Sequence, residues 1–128
     1  MPPESSSPRQ GTLTAGNGRT RLLLNWQRRG RDLHVHIGGG DEHVGAVALV
    51  GRQADGEVFE GVLHLPPHKE TELALDAARK LHAATGVSVC VTAGVHLETI
   101  TPAEIATVLR NADRAVARLA VLLRSPSP

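Results

Sequence analysis

The segment Leu33-His34-Val35-His36-Ile37 alternates apolar and polar residues without a break. A period of two fits a strand with one face buried and no helix. The same period places Leu22, Leu24 and Trp26 on one face of a strand within Arg19–Gln27. Between the two lies Arg28-Arg29-Gly30-Arg31-Asp32, a polar turn whose glycine suits positive φ, so the pair reads as a hairpin. Gly38-Gly39-Gly40-Asp41-Glu42 then breaks the pattern, and His43–Val50 resumes it as an aliphatic strand. Its Gly45, Ala46 and Ala48 are small enough for a second backbone or a ligand to come close. Gln53-Ala54-Asp55-Gly56 is a hairpin turn signal, and Val58–Leu65 is a fourth strand.

Beyond Pro66-Pro67 the spacing becomes helical, with Leu73, Ala77 and Leu81 at i, i+4 and i+8 and Gly86 as a C-terminal cap. Val87–Thr92 alternates as a further strand. Thr101-Pro102-Ala103-Glu104 combines a cap, a first-turn proline and the acid of a capping box. The helix it opens carries a stripe at Ile105, Leu109, Ala112, Val116, Leu119 and Leu123. The expected order is ββββ-α-β-α, an α+β fold with a largely antiparallel sheet and two helices on one face. Residues 1–18 and 125–128 are rich in Pro, Ser and Gly and short of large apolar residues, Leu13 excepted. They are expected to be disordered tails around a single domain at 19–124.

Composition narrows the function. Fourteen Lys and Arg against thirteen Asp and Glu leave a formal charge of +1, too even for a nucleic-acid or anionic-membrane surface. With one Trp, one Phe and no Tyr, the chain lacks the rings needed to stack single-stranded bases. A single Cys excludes an internal disulfide and a Cys-type zinc finger. No apolar run is long enough for a membrane span, and the first residues have no secretory h-region, so the expected setting is cytoplasmic.

Polar chemistry collects in three segments, each joining a histidine to an acid. In Gly38-Gly39-Gly40-Asp41-Glu42-His43-Val44-Gly45, bare glycine amides can form an anion-binding nest, the alternative being a mobile connection or a bulge. The Lys-Ser/Thr ending of a P-loop is missing, so that motif is excluded. In Pro66-Pro67-His68-Lys69-Glu70, a helix N-terminus and a lysine both favour an anion, although Glu70 also suits an ordinary first-turn role. In Thr92-Ala93-Gly94-Val95-His96-Leu97-Glu98, a histidine follows a strand end, where binding residues commonly sit. His43, His68 and His96, with Asp41 or Glu70, form an alternative set for a divalent ion. His34 and His36 share a strand face but lack a third ligand, so a solvated face or a dimer interface is expected there. His64 and His82 read as structural or exposed, and Cys90 as a small buried hydrophobe. No Ser/His/Asp or Cys/His nucleophile system is evident.

Taken in order, Gly-Gly-Asp-x-His-Val-Gly-Ala-Val-Ala, then His-Lys-Glu opening a helix, then Gly-Val-His before a Thr-led helix resembles the LpdD-like proteins. These are small accessory proteins of gallate or 4-hydroxybenzoate decarboxylase, encoded with UbiD-type decarboxylases and the UbiX-type prenyltransferase. The resemblance spans about residues 21–112 and rests on Gly39, Gly40, Asp41, His43, Gly45, His68, Lys69, Glu70, Gly94 and His96. Glu42 within the first motif, and Leu97-Glu98-Thr99 in place of an aspartate-asparagine pair after the histidine, are departures from it. The resemblance implies a homodimeric chaperone for prenylated FMN with a fold like that of proteasome-assembly chaperones. It further implies cofactor binding by those residues and delivery to the decarboxylase without turnover. Two other readings stand beside it. One is a small metal-dependent hydrolase or lyase using His43, His68, His96 and Asp41, and the other an assembly chaperone or accessory subunit with no small ligand.

Overall fold

The computed structural model describes residues 8–66 and 70–124. The strands are β1 (Gln10–Ala15), β2 (Leu22–Arg29), β3 (Asp32–Gly40), β4 (Ala46–Arg52), β5 (Val58–His64) and β6 (Val89–His96). The helices are α1 (Thr71–Thr85) and α2 (Pro102–Leu123), and a short 3₁₀ turn occupies Gly18–Thr20. The turns act as their chemistry demands. Gly30 turns β2 into β3 at φ 61°, and Gly56 does so between β4 and β5 at φ 90°. Thr101 accepts from the Glu104 amide while the Glu104 carboxylate accepts from the Thr101 amide, so the capping box is complete.

The six strands form one sheet in the order β1-β2-β3-β6-β4-β5, parallel between β3 and β6 and antiparallel elsewhere. The fold is α+β. Leu22, Leu24, Trp26, Leu33, Val35, Ile37, Ala46, Ala48, Val50, Val89, Val91 and Ala93 alternate onto one buried face. Ala74, Ala77, Ala78 and Leu81 of α1 cover its β4–β6 side. Val108, Ala112, Ala115, Val116 and Leu119 of α2 lie beside them, with contacts to β1 and β2.

Three expectations are corrected. The tail expected at 1–18 contains β1, which pairs along its whole length with β2. Leu13 and Ala15 face the core, and Gly11 lets the strand lie on the Trp26 ring, since a Cβ there would sit 2.8 Å from Trp26 Nε1. The glycine run is strand rather than loop: β3 continues through Gly40, paired with β6 as far as His96. In α2 the buried face is centred on Val108, Asn111 and Ala115, which leaves Ile105 and Leu109 of the expected stripe on an exposed flank.

Candidate functional site

Because β6 lies between β3 and β4, the connection 41–45 must cross the end of β6. It is pinned there by backbone bonds from the Asp41 amide to the His96 carbonyl (3.0 Å) and from the Gly45 amide to the Ala93 carbonyl (2.9 Å). The crossing explains the glycines. A Cβ on Gly94 would collide with the His43 backbone, and one on Gly38 with the Glu42 carboxylate. Gly40 holds φ 62° against the His96 carbonyl. Both helices start at this end of the sheet, where β3, β5 and β6 finish, so two positive helix ends face the same region.

On the β4 side of the crossing, His43 Nε2 lies 3.0 Å from Glu70 Oε1. Glu70 precedes α1 and is a buried carboxylate, 8% exposed. Gly45 makes this approach possible, because a Cβ there would come within 2.8 Å of Glu70 Oε2 and 3.0 Å of His43 Nε2. On the β3 side, Glu42 Oε1 is 3.3 Å from His36 Nε2, and His36 Nδ1 is 2.7 Å from Thr92 Oγ1. A carboxylate only accepts, so Nε2 donates to Glu42, while the Thr92 hydroxyl, able to donate or accept, pairs with Nδ1. At the tip of β6, His96 Nε2 is 3.2 Å from Glu98 Oε1, with both side chains largely in solvent.

Of the residues singled out from the sequence, His43, Gly45, Glu70 and Gly94 are brought together. Gly40 and Asp41 join them through the His96 backbone, while Gly39 packs on Leu22 and the Arg21 carbonyl. The Asp41 side chain is exposed, and the His96 ring turns to Glu98 rather than to His43. His68 and Lys69 lie outside the described residues. Among the described residues no three His, Cys, Asp or Glu side chains gather into a metal-holding group, so the hydrolase reading lacks its ligand set there. Of the glycines expected to offer bare amides to an anion, Gly38, Gly39 and Gly40 are strand residues paired with β6, and the Gly45 amide is bonded to the Ala93 carbonyl.

Several residues with defined roles were missed. Thr92 and Glu42 become partners of His36 only through the pairing of β3 with β6 and the fold-back of 41–45. Asn111, buried in α2, donates to the Thr20 carbonyl at 3.0 Å and fixes the turn before β2. Arg19 of that turn binds Glu104 (Nε to Oε2 2.7 Å) and the Glu98 carbonyl. The Arg19 guanidinium, with the Thr101 amide behind it, holds the Glu104 carboxyl below the usual carboxylate range. Cys90 points to the uncovered face of the sheet rather than the core, and partial burial raises its thiol pKa. His82 is structural, as expected, with Nδ1 donating to the Val87 carbonyl at 2.7 Å.

That uncovered face divides in two. Thr12, Asn25, Gln27, His34 and His36 make it polar on the β1–β3 side. Leu49, Phe59 and Leu63 make it apolar on the β4–β5 side, Leu63 being 76% exposed. No helix among the described residues is long and apolar enough to cross a membrane.

Comparison with known proteins agrees with this architecture. A solved structure described as a novel chaperone complex for yeast 20S proteasome assembly contains a chain of the same fold. Its TM-score is 0.59 at 12% identity, covering 90% of this chain and 97% of that one. No curated protein gives a significant sequence match. Residues 16–124 match the family described as the prenylated flavin chaperone LpdD-like domain. With most of its length inside that match, the chain belongs to the LpdD-like family of prenylated flavin chaperones.

Proposed function

We propose that this protein holds reduced prenylated FMN at the end of the sheet where β3 and β6 finish, and passes it to a UbiD-type decarboxylase without chemical turnover. The family match over residues 16–124 carries this reading. The donor set at that end fits the cofactor's chemistry. Two helix N-termini and nearby arginines suit a phosphate dianion, and Leu22, Leu23 and Leu97 beside those arginines offer aliphatic surface to a ring system. When bound, the prenylated flavin supplies the decarboxylase chemistry of its client. The residues of this chain bind and orient it. His43 and Glu70 fix the 41–45 crossing, and Gly40, Gly45 and Gly94 keep it low enough to leave the sheet end open. His68, Lys69 and His96 are proposed to border the same site.

The reading includes a homodimer formed through the uncovered sheet face, where Leu49, Phe59 and Leu63 would leave water. Anaerobic titration with reduced prenylated FMN is expected to give a stoichiometric complex that a purified UbiD-type apo-decarboxylase then empties. No complex at tens of micromolar would sink the carrier reading. The same exposed apolar residues favour a second reading, an accessory subunit that binds its client directly and takes no flavin. Stable co-purification with the decarboxylase, together with a melting temperature indifferent to any flavin, would establish that one.

A further inference from the structure

A cleft of about 400 Å³ opens beside the end of β3, floored by Gly38, Gly39 and Gly40 and walled by Arg19, Arg21 and Glu42. The charges on its wall are not equivalent. Arg19 is engaged by Glu104 and the Glu98 carbonyl, and Glu42 by His36. Arg21 is exposed and has no side-chain partner among the described residues. The cleft therefore presents one guanidinium without a carboxylate partner among the described residues, while the Glu42 carboxylate lies over Gly38 and is held there by His36. A guanidinium presents a fork of donors matched to the oxygens of a phosphate. The amides of Asp41 and Gly45, just beyond the cleft, are bonded to the His96 and Ala93 carbonyls.

We propose that Arg21, at the cleft beside the end of β3, is the anion seat of this protein and takes a phosphate monoester. Arg19 is a positioning residue that holds the turn before Arg21 against α2, with Asn111 fixing the same turn from the core. The identity of the ligand as a flavin phosphate rests on the carrier reading above; the seat itself rests on the cleft and its unpaired cation.

The test uses the full chain under anaerobic conditions and three probes: reduced prenylated FMN, the same compound after phosphatase treatment, and inorganic phosphate followed by ³¹P line broadening. The wild type is expected to bind the phosphorylated flavin roughly 10- to 100-fold more tightly than the dephosphorylated one. Arg21→Gln should collapse that ratio towards one with little change for the dephosphorylated compound. Arg31→Ala, the same charge loss at the opposite end of the hairpin, should leave the ratio intact. Equal affinity for both flavins in the wild type, or an unchanged ratio in a folded Arg21→Gln variant, overturns the seat while the carrier reading stands. No flavin binding, but phosphate broadening that Arg21→Gln abolishes, keeps the seat and removes the carrier reading. Silence from all three probes overturns both.

Discussion

The two faces of this sheet are made by the same strands yet obey different rules. On the helix-covered face the buried side chains of β2, β3, β4 and β6 are all aliphatic apart from Trp26, and nearly all are fully buried. On the other face the same strands present Asn25, His36, Thr92 and Val47 in one row across the sheet, ending at exposed Leu63. One face is specified by burial alone, so any aliphatic set of the right volume would serve. The other is specified by individual contacts: a hydroxyl on an imidazole, a carboxylate over a glycine, a carbonyl crossing another glycine. Burial holds the first together, and pairwise contacts order the second.

The sharpest way to break that division is to truncate one leucine on each side. Leu24→Ala removes a fully buried side chain and is expected to lower unfolding free energy by about 3 kcal/mol in chemical denaturation. Leu63→Ser, on the uncovered face, should change monomer stability by no more than about 0.5 kcal/mol. It should instead weaken self-association in sedimentation equilibrium. A large loss of monomer stability from Leu63→Ser would mean that the second face is core as well.

Gly94→Ala probes the crossing. The added methyl meets the His43 backbone, which cannot rotate away as a side chain would. A loss of about 1–3 kcal/mol is expected, below that of Leu24→Ala, because the 41–45 segment can lift rather than the core reopen. Lifting should show as faster hydrogen exchange at the Gly45 amide, which is bonded to the Ala93 carbonyl in the intact protein. Unchanged exchange there would show that the segment is not held by this contact.

The difference between the faces also decides what the sequence reveals. Alternation in β2 through β6 and the capping signals at Thr101 and Gly86 are local; both caps are found as expected, while the strand expected at His43–Val50 begins only at Ala46 and the one expected at Val87–Thr92 runs from Val89 to His96. The strand β1 is hidden because its stabilisation is non-local: Gln10–Ala15 has little apolar content and gains its place by pairing with β2 over Trp26. The insertion of β6 between β3 and β4 is a tertiary choice that no short window contains. From it follow the crossing, the need for glycine at 38 and 94, and the meeting of His36 with Thr92. The histidine–acid segments are visible as composition, and His43 does find Glu70. Arg21 stays invisible because what marks it is an absence of side-chain partners among the described residues, which only the fold can show.

The smallest effects come from the helix start that ties the covered face to the cleft. Thr101→Ala removes the acceptor for the Glu104 amide and should cost about 1 kcal/mol. Glu104→Gln is gentler, since an amide oxygen can still accept from the Thr101 amide, and it isolates the carboxylate's charge. The Glu104 carboxyl is held below its ordinary value of 4.5 by Arg19, so its contribution is complete above that pH and disappears as the pH falls through the lowered value. Melting temperatures of wild type and Glu104→Gln should therefore differ slightly at neutral pH and converge on acidification below 4.5. A gap that persists at low pH would assign the stabilisation to the cap's geometry rather than to the ion pair. Arg19 would then hold the turn before Arg21 without the charge of Glu104.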